Sequence, residues 1–301
     1  MANRIFVSSI VVLWLGSMTW LVVERILPSF VSGQPPAIET YHTNEVVAWN
    51  VRWGGERVGY AASVRLEGIA GAVELHNRIL LDNAPLIDLA PLWMRHAVGD
   101  IGSMSFDAST RVEFDSLGNF SAFESRISLN DMPSVLSISG RVNDSNLDLK
   151  IRSSDISYSI PIYMPDSKTL NEALFPDARL PQMYVGRRWS EEVYSPFHAP
   201  NDPIELVQAE VVSLEPMEIQ GEIRRLLRVE YRSRAGSGVN KNARLQAVSW
   251  VMKDGTVLRY DVYIGGSELR FERLSDSESA KIGVNLFERQ LRQGAKINLP
   301  K

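Results

Sequence analysis

The 301-residue chain contains no cysteine, and this absence excludes several kinds of chemistry at once. Thiol nucleophiles, Cys-X-X-Cys redox pairs, cysteine-ligated zinc and iron–sulfur clusters all require a thiolate. Disulfide bonds are excluded as well, so the fold has to be stabilised by burying part of its 45% hydrophobic residues. The length allows one large β domain or two domains of ordinary size.

The chain also has little net charge. Its 32 Lys and Arg residues against 36 Asp and Glu residues give a formal charge of -4. A balance this close to zero provides no long-range positive field that would attract DNA or RNA. We therefore expect no nucleic-acid partner.

Sequence patterns typical of catalysis are missing too. The four histidines show no His-X-His or His-Glu-X-X-His spacing, and no Gly-X-Ser-X-Gly, P-loop or dinucleotide-binding glycine pattern occurs in a suitable context. We accordingly predict no catalytic, cofactor-binding or metal-binding residue and no cofactor. A pair of catalytic carboxylates has no local signature, because the distance between them is set by the fold.

The first feature that the sequence does contain is an uncharged run of 19 residues from Ile5 to Val23, between Arg4 and Glu24. A helix of that length roughly spans the ~30 Å hydrocarbon core of a bilayer. The run is longer than the apolar part of a signal peptide and is followed by large residues, which favours a retained anchor over a cleaved signal. We expect residues 1–27 to form a single transmembrane anchor, with residues 5–23 in the lipid bilayer, the amino terminus inside and the body extracytoplasmic.

A change of pattern follows the predicted anchor. Residues 28–44 contain Gly33, Pro35 and Pro36, which oppose regular structure and predict a linker. From Glu45 onward the apolar residues recur at every second position, which is the period of a β-strand. We predict a first antiparallel β lobe over 45–160, a Pro-rich connection over 161–186, a second antiparallel β lobe over 187–276, and a short helix or tail over 277–301.

Turn residues divide these lobes into hairpins. Leu147 to Ile162 reads as two alternating strands around residues 153–155, and Asp254-Gly255 predicts a two-residue type I′ turn. Thr110–Leu129 and Ala247–Gly266 share the order strand, glycine turn, strand, which leaves open two similar β lobes or two unrelated hairpins. The predicted fold class is mainly β, with a single transmembrane helix followed by one or more curved antiparallel sheets.

Aromatic and arginine side chains crowd several of the predicted strands. They form a candidate binding surface of seven residues: Trp49, Trp53, Tyr60, Arg224, Arg228, Tyr231 and Trp250. Such residues could line an apolar groove and attract anionic headgroups or acidic groups of a partner. The alternative is that the aromatics are cross-strand core pairs and the arginines belong to a solvated strand face.

Two segments carry a resemblance. LPQMYVGRRW (Leu180–Trp189) contains the pattern V-G-x-x-W, and SWVMKDGTVLRYDVYIGGSELRFER (Ser249–Arg273) contains W-V-x-x-D-G-x-V-L-R. These segments resemble uncharacterised extracytoplasmic β-rich regions of membrane-anchored bacterial proteins, some of which precede transglutaminase-like domains. The catalytic part of a transglutaminase-like domain uses a Cys nucleophile with His and Asp, so the resemblance implies no catalytic residue here.

The sequence thus predicts a membrane-anchored, extracytoplasmic, noncatalytic β protein. It would act as a binding or accessory component of a cell-envelope complex, with an envelope protein or a lipid held on a curved sheet as its partner. The alternative is an envelope hydrolase that uses Asp and Glu carboxylates on polysaccharide or peptide.

Overall fold

The computed structural model describes residues 13–20, 33, 45–67, 71–84, 104–130, 132–144, 146–153, 156–163, 171–172, 175–194, 204–233, 245–264 and 267–292. Within these ranges, helices cover residues 13–20 and Asp276–Arg292, the latter named the C-terminal helix. All other regular structure is strand, so the mainly β prediction is confirmed. The strands are β1 (Val46–Trp53), β2 (Glu56–Glu67), β3 (Val73–Ala84), β4 (Met104–Phe114), β5 (Phe120–Leu129), β6 (Met132–Asn143), β7 (Asn146–Ser153), β8 (Ile156–Tyr163), β9 (Asn171–Glu172), β10 (Arg188–Tyr194), β11 (Ile204–Ile219), β12 (Glu222–Ser233), β13 (Leu245–Val251), β14 (Val257–Ile264) and β15 (Ser267–Arg273).

These strands form one 15-stranded sheet in the order β8-β7-β6-β5-β4-β3-β2-β1-β15-β14-β13-β12-β11-β10-β9. Neighbouring strands are antiparallel except β9 and β10, which are parallel. The first predicted lobe supplies β1 to β8 and the second supplies β10 to β15. Pairing of β1 with β15, which places Val51 opposite Phe271, joins both halves in a single sheet.

The two faces of the sheet differ sharply. The inner face, defined by Trp49, Val51 and Phe271, carries one apolar cluster that draws on strands from β1 to β15. Its side chains are nearly all buried although only one sheet is present, so the sheet curls around its own inner face. The opposite side, the outer face, is polar over most of its area and is covered at β1 and β2 by the C-terminal helix.

The C-terminal helix begins with a capping box. Ser275 Oγ donates to Glu278 Oε2 at 2.7 Å, and the Ser275 backbone N–H donates to the same oxygen at 3.2 Å. Leu286 and Phe287 then pack against Ala48 and Val64 of the outer face. The predicted helix or tail over 277–301 is therefore a helix as far as the described residues extend.

Close contacts fix the position of this helix on the sheet. Ser279 Oγ accepts the buried backbone N–H of Ala48 at 3.1 Å. At Gly283, a β-carbon would lie 2.5 Å from Val46 Cγ1, so only glycine allows the helix to approach β1 this closely. Glycine is a poor helix former, but the close packing of the helix against β1 requires it at this position.

The hairpin of β7 and β8 forms as expected, with Leu147 opposite Ile162. The predicted two-residue type I′ turn at Asp254-Gly255 is wrong, because only Gly255 has a positive φ, +91°. Its N–H donates to the Met252 carbonyl at 2.9 Å, which gives a three-residue turn. The reason is packing, since the Gly255 carbonyl accepts the Leu180 N–H at 2.7 Å from a neighbouring segment.

Part of the amino-terminal prediction lies outside the described residues. Residues 13–20 of the predicted anchor are helical, and their large apolar side chains are exposed. The described ranges contain no helix long and apolar enough to cross a bilayer. In the predicted linker, the Gly33 N–H donates to the Arg188 carbonyl at 2.9 Å. In the predicted Pro-rich connection, residues 164–170 and 173–174 lie outside the described residues.

Candidate functional site: the inner face of the sheet

The structure divides the seven residues of the predicted binding surface between the two faces. Trp49, Trp53 and Tyr231 belong to the inner apolar cluster. The remaining four lie on the outer face by strand alternation and register: Tyr60, Arg224, Arg228 and Trp250. These seven side chains therefore do not form one continuous surface.

Acids on the same strand neutralise the outer-face arginines. Arg224 pairs with Glu222 at 2.6 Å, and Arg228 pairs with Glu230 at 2.9 Å. The Arg228 guanidinium also lies 5.8 Å from the centroid of the Trp250 ring. This arrangement matches the paired, partly solvated strand face rather than a site with surplus positive charge.

The most buried acid of the outer face is also paired with arginines. Asp261 is 2% exposed and accepts hydrogen bonds from Arg259 Nε at 2.8 Å and from Arg270 Nε at 3.3 Å. The Asp261 carboxylate is thus paired with two guanidinium groups. Arg270, the second of these, also pairs with Glu268. We assign this network to the stability of the sheet.

A ladder of aromatic rings crosses the inner face of the second half of the sheet. Trp189 contacts Tyr231 with ring centroids 6.1 Å apart, Tyr231 contacts Tyr260 at 6.2 Å, and Tyr260 contacts Phe271 at 6.0 Å. Small residues on the intervening strands allow these contacts, because Ala209 lies between the first two rings in the register. The first two ring pairs are nearly perpendicular, a favourable geometry for aromatic rings.

Two carboxyl groups lie beside this ladder. Glu191, 6% exposed, accepts a hydrogen bond from Trp189 Nε1 at 3.2 Å. Asp177 comes from the segment between β9 and β10 and makes no hydrogen bond or ion pair with the part of the chain that the structure describes. Together with the four rings and Ser249, these residues form what we call the acid–aromatic cluster.

The electrostatics of the acid–aromatic cluster follow from burial. Burial raises the pKa of the Asp177 carboxyl to about 7. Burial also raises the pKa of Tyr231 and Tyr260, and the negative charges of Glu191 and Asp177 raise both further. Both tyrosines consequently keep their hydroxyl protons at neutral pH, and Tyr231 shares a side-chain hydrogen bond with Ser249.

A row of small polar side chains crosses the first half of the inner face. Ser63, Asn77, Thr110 and Ser125 are register partners on four consecutive strands, and all are buried. Thr110 Oγ1 donates to Ser125 Oγ at 3.0 Å. A polar row inside an otherwise apolar face is unusual, because each buried polar group needs a partner to offset its lost hydration.

Two fully buried polar atoms of the inner face have no hydrogen-bond partner in the described ranges. They are Trp49 Nε1 and Ser63 Oγ, and both residues are 0% exposed. Trp49 pairs with Ala61 in the register, so Ser63 is its diagonal neighbour on β2. The indole N–H and the hydroxyl group therefore present polar positions that none of the described residues satisfies.

Sequence reasoning did not select Asp177, Glu191 or Tyr260. A signal for Glu191 was present, since Trp189, Glu191 and Val193 alternate on one strand and an acid between two buried residues points inward. Asp177 follows Pro176 in a segment without periodicity, so nothing local indicates that it is partly buried. No group of three or more metal-ligating side chains occurs among the residues described.

Comparison with known proteins adds little. No family model and no curated protein matches the chain. Among solved structures, a β-barrel-like protein of the DUF1849 family from Brucella abortus is similar, with a TM-score of 0.47 and 8% identity over 81% of this chain and 98% of that one. A DUF1089 family protein from Pseudomonas aeruginosa has a TM-score of 0.34 and 10% identity, over 66% of this chain and 87% of that one. Both TM-scores are below 0.5.

Proposed function

We propose that this protein is a noncatalytic binding protein whose curled sheet holds an amphipathic molecule, a lipid, against its inner face. The observation that carries the proposal is the pair of fully buried, unpartnered polar atoms, Trp49 Nε1 and Ser63 Oγ, within the apolar inner face. Leaving such groups unsatisfied costs about 1 to 3 kcal/mol each. An acceptor oxygen on a bound molecule, such as an ester carbonyl, would remove that cost for the indole N–H.

The apolar side chains around these atoms support a lipid rather than a small polar ligand. Ligand sites are mostly apolar, with a few polar groups that fix the orientation of the ligand. The inner face has this composition, because Trp49 and Ser63 are flanked by Val47, Val51 and Ala61 of the same cluster. The acyl chains would contact the apolar residues, and the linkage oxygens would reach the two polar atoms.

We further propose that residues 5–23 anchor the protein in a membrane and that the β body is extracytoplasmic, as an accessory component of an envelope complex. The uncharged run supports the anchor, and so do the exposed side chains of Leu13, Trp14 and Trp20 on its helical part, which do not pack on the sheet. A lipid-binding body beside a membrane would have a direct source of ligand.

Native mass spectrometry tests lipid binding. We expect the full-length chain, released from nonionic detergent micelles, to carry a discrete adduct of lipid mass. Trp49→Phe removes the indole N–H but keeps a ring, and should lower the loaded fraction several-fold. Trp250→Phe is the matched control, because Trp250 Nε1 is also buried without a partner but lies on the outer face. A bare polypeptide, or equal loading of both variants, would overturn the proposal.

Extraction of membranes with alkaline carbonate tests the anchor. We expect the full-length chain to stay in the membrane pellet, and a Leu15→Lys variant to move partly to the supernatant, because a lysine near the centre of a span opposes insertion. Leu117→Lys in the exposed β4–β5 turn is the control and should stay in the pellet. Release of the unmodified chain would contradict the anchor.

One observation favours the second candidate, an envelope hydrolase. The Asp177 carboxyl, whose pKa burial raises to about 7, acts electrostatically on the same tyrosines as Glu191, and acid–base hydrolysis uses a pair of carboxyl groups. We favour binding because Glu191 is almost fully buried and already accepts the Trp189 N–H. Turnover of an envelope polysaccharide or peptide that disappears in Asp177→Asn would reverse this preference.

A further inference from the structure

The two ends of the sheet differ in the hydrophobic side chains that they expose. Because β1 to β8 and β10 to β15 alternate in direction, one end holds the starts of β1 and β10 and the turns β4–β5 and β11–β12. We call it the linker end, because the chain enters the sheet there. Among the described residues of the β body, most of the large hydrophobic side chains that are more than half exposed lie at this end. They are Leu117 (84%), Ile223 (77%), Tyr184 (61%) and Val185 (53%), whereas Met132 (53%) lies at the opposite end.

The β4–β5 turn itself holds Leu117 at its tip. Asp115 Oδ1 accepts the backbone N–H of Leu117 at 2.9 Å and that of Asn119 at 2.8 Å. Gly118 has a positive φ of +79°, a conformation that glycine adopts without strain. The leucine is therefore presented on a preformed turn, and its burial against another surface would require little ordering of the backbone.

The β11–β12 hairpin extends beyond the strand beside it. The last residue of β13 in register with β12 is Val251, which lies opposite Leu227. The first four residues of β12, 222–225, precede this pair and are all exposed. Four residues of strand span about 13 Å. Ile223 thus lies near the tip of a hairpin that extends past β13.

The Tyr184–Val185 turn lies directly before β10, where the predicted linker contacts the sheet. The Arg187 N–H donates to the Tyr184 carbonyl at 3.0 Å and closes this turn. The Gly33 N–H donates to the carbonyl of Arg188, the first residue of β10, at 2.9 Å. A β-carbon at Gly33 would lie 3.0 Å from that oxygen, so glycine favours this close approach. An exposed aromatic side chain therefore stands beside the point of contact.

The chain between the proposed anchor and this contact is short. Val23 is the last residue of the uncharged run, and Gly33 follows it by ten positions. Ten residues span at most about 33 to 36 Å when fully extended. The beginning of β10 therefore lies within that distance of the end of the proposed span, and the linker end is held beside the bilayer.

We infer that the linker end docks on the surface of the bilayer, with Leu117, Ile223 and the Tyr184–Val185 turn inserted among the lipid headgroups. This inference rests on the proposed anchor, because residues 5–23 bring the linker end to the membrane. It adds the surface through which the β body contacts lipid. Tyrosine is enriched at membrane–water interfaces, and apolar side chains of interfacial elements enter the boundary between headgroups and acyl chains. The formal charge of -4 indicates apolar insertion rather than attraction to anionic lipids.

Quenching of a fluorophore by nitroxide-labelled lipids tests the inference, and the absence of cysteine from the chain allows labelling at a single position. Leu117→Cys, Val185→Cys and Ile223→Cys each place a nitrobenzoxadiazole label at the linker end of the full-length chain. Met132→Cys is the matched control at the opposite end. In vesicles of phosphatidylcholine and phosphatidylglycerol, we expect the linker-end labels to be quenched at least about threefold more strongly than the control label.

Salt and further substitutions test whether the contact is apolar and shared by several tips. Sodium chloride at about 1 M should leave the difference in quenching unchanged, because salt screens charges and not apolar contacts. Leu117→Asp combined with Ile223→Asp should lower the quenching of a label at position 185 at least about twofold, whereas Met132→Asp should not. The substituted side chains are exposed, so we expect all these variants to fold.

The outcomes separate this inference from the proposed anchor. Equal quenching at both ends, in a chain that alkaline carbonate does not release from the vesicles, would overturn the docking surface and leave the anchor intact. Loss of the difference at high salt would overturn apolar insertion. Shielding of the labels in native membranes but not in these vesicles would show that a protein covers the linker end, and would also overturn the bilayer contact. Release of the chain by carbonate would instead refute the anchor.

Discussion

An Arg78→Met variant should lose about 2 to 4 kcal/mol of unfolding free energy, because it breaks the link between the sheet and the C-terminal helix. Arg78 is buried on the outer face of β3, and its Nε donates to Asp107 Oδ1 at 2.8 Å and its Nη2 to Oδ2 at 2.5 Å. Its remaining nitrogen donates to the Leu286 carbonyl of the helix. The substitution leaves the half-buried Asp107 without its partner, and urea denaturation measures the loss.

Arg126→Met provides the matched control for Arg78. Arg126 pairs with Glu124 at 2.7 Å on β5 of the same sheet, but its side chain is 53% exposed. Exposed pairs of this kind contribute about 0 to 1 kcal/mol. We therefore expect a small loss for Arg126→Met, together with unchanged protease resistance of the C-terminal helix. Equal losses for the two variants would show that the helix does not depend on the buried arginine.

An Asp177→Asn variant should become progressively more stable than the unmodified protein as the pH rises from 5 to 8. The pKa of Asp177 is raised from 3.8 to about 7 in the folded protein, so between these values the folded state holds a proton that the unfolded state has released. The stability contributed by this proton is lost as the pH rises through about 7. The asparagine side chain carries no charge. We therefore expect the unfolding free energy of the variant to rise, relative to that of the unmodified protein, by on the order of 1 to 3 kcal/mol over this pH range.

The comparison has to be made as a difference between the two proteins at each pH. His76 and Glu74 have lowered pKa values, the first because burial disfavours its charge and the second through hydrogen bonds to His76 and Arg111. Both therefore contribute stability that is lost as the pH falls, opposite in sign to Asp177. Their contribution is common to both proteins and cancels. A difference that stays constant from pH 5 to pH 8 would contradict the raised pKa of Asp177.

Local patterns predicted strands such as β7 because burial alternates along them with the same period as the sequence. Leu147, Leu149 and Ile151 are buried and the residues between them are exposed, as their alternation requires. Turn geometry was less predictable: Gly54 and Gly55 both have positive φ, whereas the turn at Gly255 was altered by contact with Leu180. A sequence pattern does not report such contacts between distant segments.

The candidate site was harder to predict than the fold. Arg228 and Tyr231 are close in sequence, but three positions along a strand place their side chains on opposite faces, so grouping them as one surface joined two environments. The cluster that does form combines β10, β12, β13, β14 and β15 with a segment that has no strand pattern. Its assembly depends on which strands are neighbours, and that order is a property of the whole sheet.

The pairing of β1 with β15 determines when folding can be completed during synthesis. Ala48 of β1 and Ser279 of the helix that follows β15, which share a hydrogen bond, are separated by 231 positions in the chain. While the ribosome is still making the second half, β1 has β2 on one side and an open edge on the other, with backbone groups available to any other extended segment. Contacts of such high sequence separation form slowly, so β1 remains an aggregation-prone edge until residues 267–273 have emerged. A chain that stops before Ser267 would keep that edge permanently.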